Sequence, residues 1–182
     1  MAEDEAIQPP VQPNVPGEGI HSFNEVVPGL AKREVAQAIA GDTDVDDLLE
    51  AARVVCFRGE GFPRVDDHTG HILCPTSYTR EQPPIVVYLD LAHELVHVRQ
   101  VHDGQQVYHF PEAYVDWPTE QEAYRITYEE AKRLGLSDEW FWRYLSVPWI
   151  EDTEIATLAR AIGMPESGIP TGEEREDSKA RH

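Results

Sequence analysis

Hydrophobic residues change their spacing several times along the 182-residue chain, and each spacing predicts a different kind of element. Apolar positions at helical intervals predict helices, whereas short apolar runs bounded by Gly, Pro and Asp predict β-strands. The predicted helices are 30–41, 42–53, 90–102, 120–134, 138–145 and 152–163. The predicted strands are 53–57, 70–74 and 85–89. This order predicts an α+β fold in which a small mixed sheet packs on helices.

The two ends of the chain differ in composition from the middle. Residues 1–20 are acidic and rich in proline, and residues 165–182 are equally polar. Neither segment can bury enough apolar surface to fold alone. We therefore predict a disordered tail at 1–20, a single domain at 21–164 and a polar tail at 165–182, because the length suffices for one domain with a core but hardly for two.

The net charge of −19, from 15 basic and 34 acidic residues, narrows the classes of partner. Nucleic acid and anionic membranes attract cationic surfaces, so we expect the chain to bind neither. The acidic N-terminus lacks the order of a signal peptide and no apolar run approaches a membrane span of roughly 20 residues, so we expect a cytoplasmic protein. The acid-rich, lysine-poor composition resembles that of proteins from salt-loving microbes, although an ordinary acidic protein fits equally well.

The chain has two cysteines, Cys56 and Cys74. They form no CxxC pair and are expected to be buried free thiols.

The segment LDLAHELVHVRQ at 89–100 contains two histidines four residues apart, with a glutamate directly after the first. On a helix these positions lie one turn apart on one face, so His93 and His97 can direct their imidazoles at one metal ion. Glu94 lies beside them, where its carboxylate can reach a water on that ion and act as the catalytic base. Zinc suits such ligands and lowers the pKa of bound water to about 7. The alternative is a pair of surface histidines and a glutamate that bind no metal.

A third protein ligand is expected downstream of this segment. The acidic candidates are Asp116, Glu120, Glu122, Glu129 and Glu130. At about 100° per residue, Glu120 lies in the middle of the small and apolar stripe of its helix, whereas Glu122 lies about 200° away. Glu122 also fits a capping box with Thr119 as the N-cap residue. Glu120 is therefore the predicted ligand, with Glu122 as the alternative.

Together, HELVH and the later EQEAY at 120–124 resemble the gluzincin metallopeptidases. The similarity covers roughly residues 53–135 and is greatest to the small single-domain members called minigluzincins. A looser similarity exists to the ImmA/IrrE-type peptidases. Tyr124 stands where membrane-bound relatives with ExxxD carry aspartate, and EAYRIT replaces the EANxFA signature of the repressor-cleaving type.

This resemblance implies a zincin-like fold and one zinc ion per chain. It implies that His93, His97 and Glu120 bind the zinc and that Glu94 is the general base and acid. It also implies that IVVYL at 85–89 is an edge strand against which an extended peptide substrate could pair.

Several other residues could contribute to such a site. Zinc peptidases need a donor that stabilises the oxyanion, and the candidates are Tyr108, His109, Tyr114 and Tyr144, although each fits a packing or loop role better. Asp116 could orient a zinc-bound histidine, but a turn or capping role is favoured.

The remaining histidines and aromatic residues have simpler interpretations. His68 and His71 lie in a segment typical of a turn between strands, and His102 lies off the ligand face, where it is expected to be solvated. An aromatic cluster is predicted to form a core lid over the two ligand helices, and any exposed part of it would be a docking surface. The cluster comprises Trp140, Phe141, Trp142, Tyr144 and Trp149.

Three functions follow from these observations. The first is a zinc-dependent metallopeptidase acting on a peptide or protein substrate. The second is a metal-binding or degenerate peptidase-like module that docks in a larger assembly through its tails or its aromatic cluster. The third is an acidic mimic of nucleic acid, but the charges of the chain do not form the patterned acidic face that mimicry requires.

Overall fold

The structure is a computed structural model that describes residues 8–14 and 16–168. Within these residues the chain forms eight α-helices and a four-stranded mixed sheet, which confirms the predicted α+β class. The chain divides into two compact units, Met1–Tyr108 and His109–His182. The first unit contains the sheet and the HELVH segment, and the second consists of helices and loops.

The sheet of the first unit has the order β1-β2-β4-β3. Its strands are β1 (Gly19–Ser22), β2 (Arg53–Phe57), β3 (Arg64–Val65) and β4 (Ile72–Pro75). β2 and β4 are parallel neighbours, while β1 and β3 pair antiparallel at the two edges. The strand predicted at 53–57 is confirmed. The strand predicted at 70–74 is also present, but it begins two residues later than predicted, at Ile72.

Five helices complete the first unit. They are α1 (Phe23–Val26), α2 (Glu34–Ala40), α3 (Val45–Ala51), α4 (Thr76–Glu81) and α5 (Pro84–His102). Asp44 is the N-cap residue of α3, and its side chain accepts hydrogen bonds from the backbone N–H groups of Asp46 and Asp47. α2 packs against α5, and the residues of the HELVH segment on α5 are buried.

The strand predicted at 85–89 is wrong, because these residues form the first turns of α5. Pro84 occupies the first position of the helix, where its fixed φ and missing N–H are tolerated. α5 is buried along most of its length, so its apolar residues surround the axis and show no helical period. A short apolar run of this kind cannot be distinguished from a buried strand by periodicity. The edge strand for substrate pairing implied by the resemblance is therefore not found at 85–89.

The second unit contains three α-helices. They are α6 (Pro118–Arg133), α7 (Asp138–Leu145) and α8 (Asp152–Ala161). α7 and α8 pack against each other, and Phe141, Leu145 and Leu158 are fully buried. The helix predicted at 138–145 is confirmed with the same bounds, and those predicted at 120–134 and 152–163 are present with ends shifted by one or two residues.

The capping box predicted for Thr119 and Glu122 is wrong. Trp117 is the N-cap residue of α6, and its side chain makes no capping hydrogen bond. Pro118 takes the first helical position, so the helix starts earlier than predicted and Thr119 lies inside its first turn.

The predicted C-terminal tail falls largely outside the described residues, which exclude 169–182, and residues 1–7 and 15 of the predicted N-terminal tail are also excluded. Within 8–20, the structure places Gly19 in β1, and the N–H of Asn14 donates to the carbonyl oxygen of Val26. The single domain predicted at 21–164 stays a prediction.

Cys56 and Cys74 face each other on the parallel strands β2 and β4, and both are buried free thiols as predicted. Burial raises the pKa of both thiols, and burial together with Cys56, Glu94 and Asp90 raises that of Cys74 to about 12.

A thiol with a pKa of about 12 has a thiolate fraction of about 10⁻⁴ at pH 8, and the thiolate is the reactive form. We expect both thiols to react with a disulfide reagent at pH 8 at least about 100-fold more slowly in the native protein than in guanidinium. Rapid reaction of both thiols in the native protein would contradict the buried pair.

Candidate metal centre

α5 brings the HELVH residues into a buried environment. His93, Glu94 and His97 expose 5%, 8% and 5% of their surface. The two histidines lie one helical turn apart, and their Nε2 atoms are 3.1 Å from each other. The Nε2 atoms of both imidazoles therefore lie near one point, as is required of two ligands of a single ion.

Gln100 holds the other nitrogen of His97. Its Oε1 lies 2.7 Å from His97 Nδ1, and the glutamine side chain is fully buried. Metal-binding histidines usually donate their second ring N–H to a carbonyl, carboxylate or water. Asp116, a candidate for such a role from its place in the sequence, lies exposed in a short 3-10 helix.

Glu120 lies in the first turn of α6 and is 5% exposed. The predicted stripe is present, because Ala123, Thr127 and Ala131 are also buried. Glu122, in contrast, is half-buried. The helix N-terminus favours a negative charge, which offsets part of the cost of burying the Glu120 carboxylate.

Tyr114 is a further contact of Glu120 within the second unit. Its hydroxyl donates a hydrogen bond to Glu120 Oε2 at 2.7 Å and lies 3.2 Å from the hydroxyl of Tyr124. Burial, followed by Tyr124 and Glu120, raises the pKa of Tyr114 well above its usual value, so the phenol keeps the proton that it donates. The hydrogen bond engages Oε2 of the Glu120 carboxylate. The proposed oxyanion role of Tyr114 would compete with this hydrogen bond.

The buried group of His93, His97 and Glu120 could hold a metal ion. One ligand atom from each of the three residues lies within 4.8 Å of the other two. Two imidazole nitrogens and one carboxylate oxygen are the donor set of a catalytic zinc site with an open fourth position. Among the described residues, no other group of three or more His, Cys, Asp or Glu side chains meets this condition.

A second polar cluster adjoins Glu94 in the first unit. The hydroxyl of Tyr78 donates a short hydrogen bond to Asp90, which lies one helical turn before Glu94 on α5. Burial and the neighbouring Asp90 raise the pKa of Tyr78 far above its usual value, so Tyr78 stays a neutral donor. Neither Tyr78 nor Asp90 was identified from the sequence, although Asp90 and Glu94 share one face of the helix by their spacing.

The other predicted oxyanion donors lie in separate environments. Tyr108 donates a short hydrogen bond to the backbone oxygen of Val65. His109 is half-buried, with its ring centroid 6.2 Å from that of Trp117. Tyr144 stacks on Trp140 at 5.8 Å between centroids. The loop and packing roles favoured for these residues are therefore present.

The remaining histidine predictions are confirmed. Asp66 accepts hydrogen bonds from the backbone of His68 and Thr69, which forms the predicted turn between strands. The hydrogen bonds from Thr69 lower the pKa of Asp66. His102 is solvated, with 64% of its side chain exposed.

The aromatic cluster is mainly part of the core of the second unit. Phe141 and Trp142 are buried, and Tyr144 contacts Tyr124 of α6. Trp149 is 49% exposed and is the member that could contribute to a docking surface.

Comparison of the chain with protein-family models, curated proteins and solved structures finds no match. Among the described residues, every helix is too short or too polar to cross a membrane.

Proposed function

We propose that the chain is a zinc-dependent metallopeptidase with a zincin-like fold. The proposal rests on the buried group of His93, His97 and Glu120, with Glu94 next to the first ligand on α5. The same ligands would accept cobalt, nickel or manganese, and zinc is favoured by its affinity for imidazole and carboxylate.

The reaction would be hydrolysis of a peptide bond. Zinc held by the three ligands would act as a Lewis acid that lowers the pKa of a coordinated water to about 7. Glu94 takes a proton from the attacking water as the water oxygen bonds to the carbonyl carbon. It then returns the proton to the amide nitrogen as the C–N bond breaks, so that the products are a carboxyl and an amine.

The charge of the chain favours particular substrates. A net charge of −19 repels acidic peptides and attracts basic ones over the range of the Debye length. The proposed substrate is therefore a neutral or basic peptide or an unfolded segment of a protein.

Metal removal tests this function directly. We expect the zinc-loaded protein to cleave members of a library of neutral and basic peptides, with products followed by mass spectrometry. Dialysis against a chelator should abolish cleavage, and one equivalent of zinc should restore it, because the three ligands form a single site. Cleavage that persists at full rate in the metal-free protein would contradict the proposal.

A second function is a metal-binding module that assembles with another protein. Its support is the exposure of Phe110 at 76% and Trp149 at 49%, since exposed aromatic residues are enriched at protein interfaces. A protein that binds one zinc but cleaves no peptide of the library would favour this second function.

A further inference from the structure

Gln100 occupies a position on α5 where an apolar residue would be expected. The helix is buried on most sides, and Gln100 is fully buried. Burying an amide without hydrogen bonds costs roughly 1–3 kcal/mol in proteins. A glutamine at this position therefore indicates a specific interaction, and its oxygen contacts His97 Nδ1 at 2.7 Å.

The chemistry of this contact defines the tautomer of His97. An amide oxygen only accepts hydrogen bonds, so the proton lies on Nδ1 and Nδ1–H donates to Gln100 Oε1. The Nε2 atom of neutral His97 then carries a lone pair. That atom is the one 3.1 Å from His93 Nε2 and thus the one directed at the candidate metal position.

The position of Gln100 on the helix also fixes the orientation of the ring. Residues three apart lie on neighbouring parts of one helix face, so the glutamine side chain can reach the imidazole without crossing the helix. The contact joins two buried side chains of the same helix.

We propose that Gln100 is a positioning residue for His97, which it keeps in the Nδ1–H tautomer with Nε2 ready for a metal ion. This inference rests on the proposed metal site. In this role Gln100 acts through its contact with His97 Nδ1.

The tautomer can be measured in the metal-free protein. Nitrogen-15 chemical shifts of the imidazole distinguish Nδ1–H from Nε2–H at a pH where His97 is neutral. We expect Nδ1–H in the wild type and in Gln100→Glu, which keeps an acceptor at this position. Gln100→Met has similar length but no acceptor and should shift His97 toward Nε2–H. Nε2–H in the wild type would overturn the inference whatever the variants do.

Zinc affinity supplies the second readout, measured by competition with a fluorescent zinc chelator. Loss of a hydrogen bond to a ligating histidine usually weakens metal binding by about 10–100-fold, so we expect this loss in Gln100→Met and rescue in Gln100→Glu. Thr127→Val is the matched control, because it removes another buried hydrogen bond, from Thr127 Oγ1 to the Ala123 oxygen on α6. This control should keep wild-type affinity even if its melting temperature falls.

The two readouts separate this inference from the proposed function. A wild type in the Nδ1–H tautomer that binds no zinc would contradict the metal site but leave the contact with Gln100 intact. Zinc affinity unchanged in a folded Gln100→Met would overturn the positioning role while leaving the metal site in place. If Gln100→Met does not fold, failure of Gln100→Glu to retain both the tautomer and the affinity would overturn the role.

Discussion

Glu94→Gln is expected to slow peptide hydrolysis by about 10²–10⁴-fold, the usual contribution of a general acid–base group. The substitution keeps the size and shape of the side chain but replaces a proton acceptor by an amide that cannot take a proton. Glu94 is 8% exposed and lies beside His93 on α5, so the change is confined to the proposed centre. The measurement is kcat/KM for a cleaved peptide, together with zinc content.

Zinc content separates catalysis from metal binding in this experiment. Glu94→Gln should retain one zinc per chain and a native circular dichroism spectrum, because the three proposed ligands are unchanged. Glu130→Gln is the matched control and should keep wild-type turnover. Glu130 is also a buried glutamate, and it pairs with Arg133 at 2.7 Å. It lies ten residues after Glu120 on α6, which is about 15 Å along the helix axis. Wild-type turnover in Glu94→Gln would contradict the proposed mechanism.

Glu120→Gln is expected to abolish stoichiometric zinc binding, whereas Glu122→Gln should retain it. Glu120 is buried and belongs to the group with His93 and His97, while Glu122 is half-buried and does not. The glutamine oxygen can still accept the hydrogen bond from Tyr114, so Glu120→Gln removes the ligand charge with little change in packing. Elemental analysis after exhaustive dialysis measures the effect.

Thermal stability gives an independent measure of the same difference. A ligand present at about 1,000 times its Kd stabilises the folded state by about 4 kcal/mol through mass action. Zinc should therefore raise the melting temperature of the wild type and Glu122→Gln but leave that of Glu120→Gln nearly unchanged. Loss of zinc in Glu122→Gln with retention in Glu120→Gln would reverse the assignment of the third ligand.

Local spacing in the sequence was sufficient to predict the parts of the candidate centre that depend on one helix. His93 and His97 face one point because residues four apart lie one turn apart on a helix. The buried position of Glu120 followed from the same period, since α6 has a polar face and a small, apolar face. Strand β2 and helix α7 were also predicted with their observed bounds, because their apolar patterns are clear and their ends carry capping or turn residues.

Tertiary packing decided the features for which local pattern is ambiguous. Residues 85–89 are rich in β-branched side chains, yet they are helical because α5 is buried along most of its length and needs apolar residues around its axis. The start of α6 likewise depends on Trp117 and Pro118 rather than on the Thr119 pattern.

The contacts of the candidate ligands were also decided by the structure. Gln100 and Tyr114 are ordinary polar residues in the sequence, and their importance lies in the atoms that they contact, His97 Nδ1 and Glu120 Oε2. The sequence by itself determined the α+β class, the helical register of both histidines and the buried face of α6, because these depend on spacing within one element. Helical spacing allows Gln100 to reach His97, but only the three-dimensional structure determined which buried polar groups meet, because a hydrogen bond depends on distances and directions that residue order alone does not define.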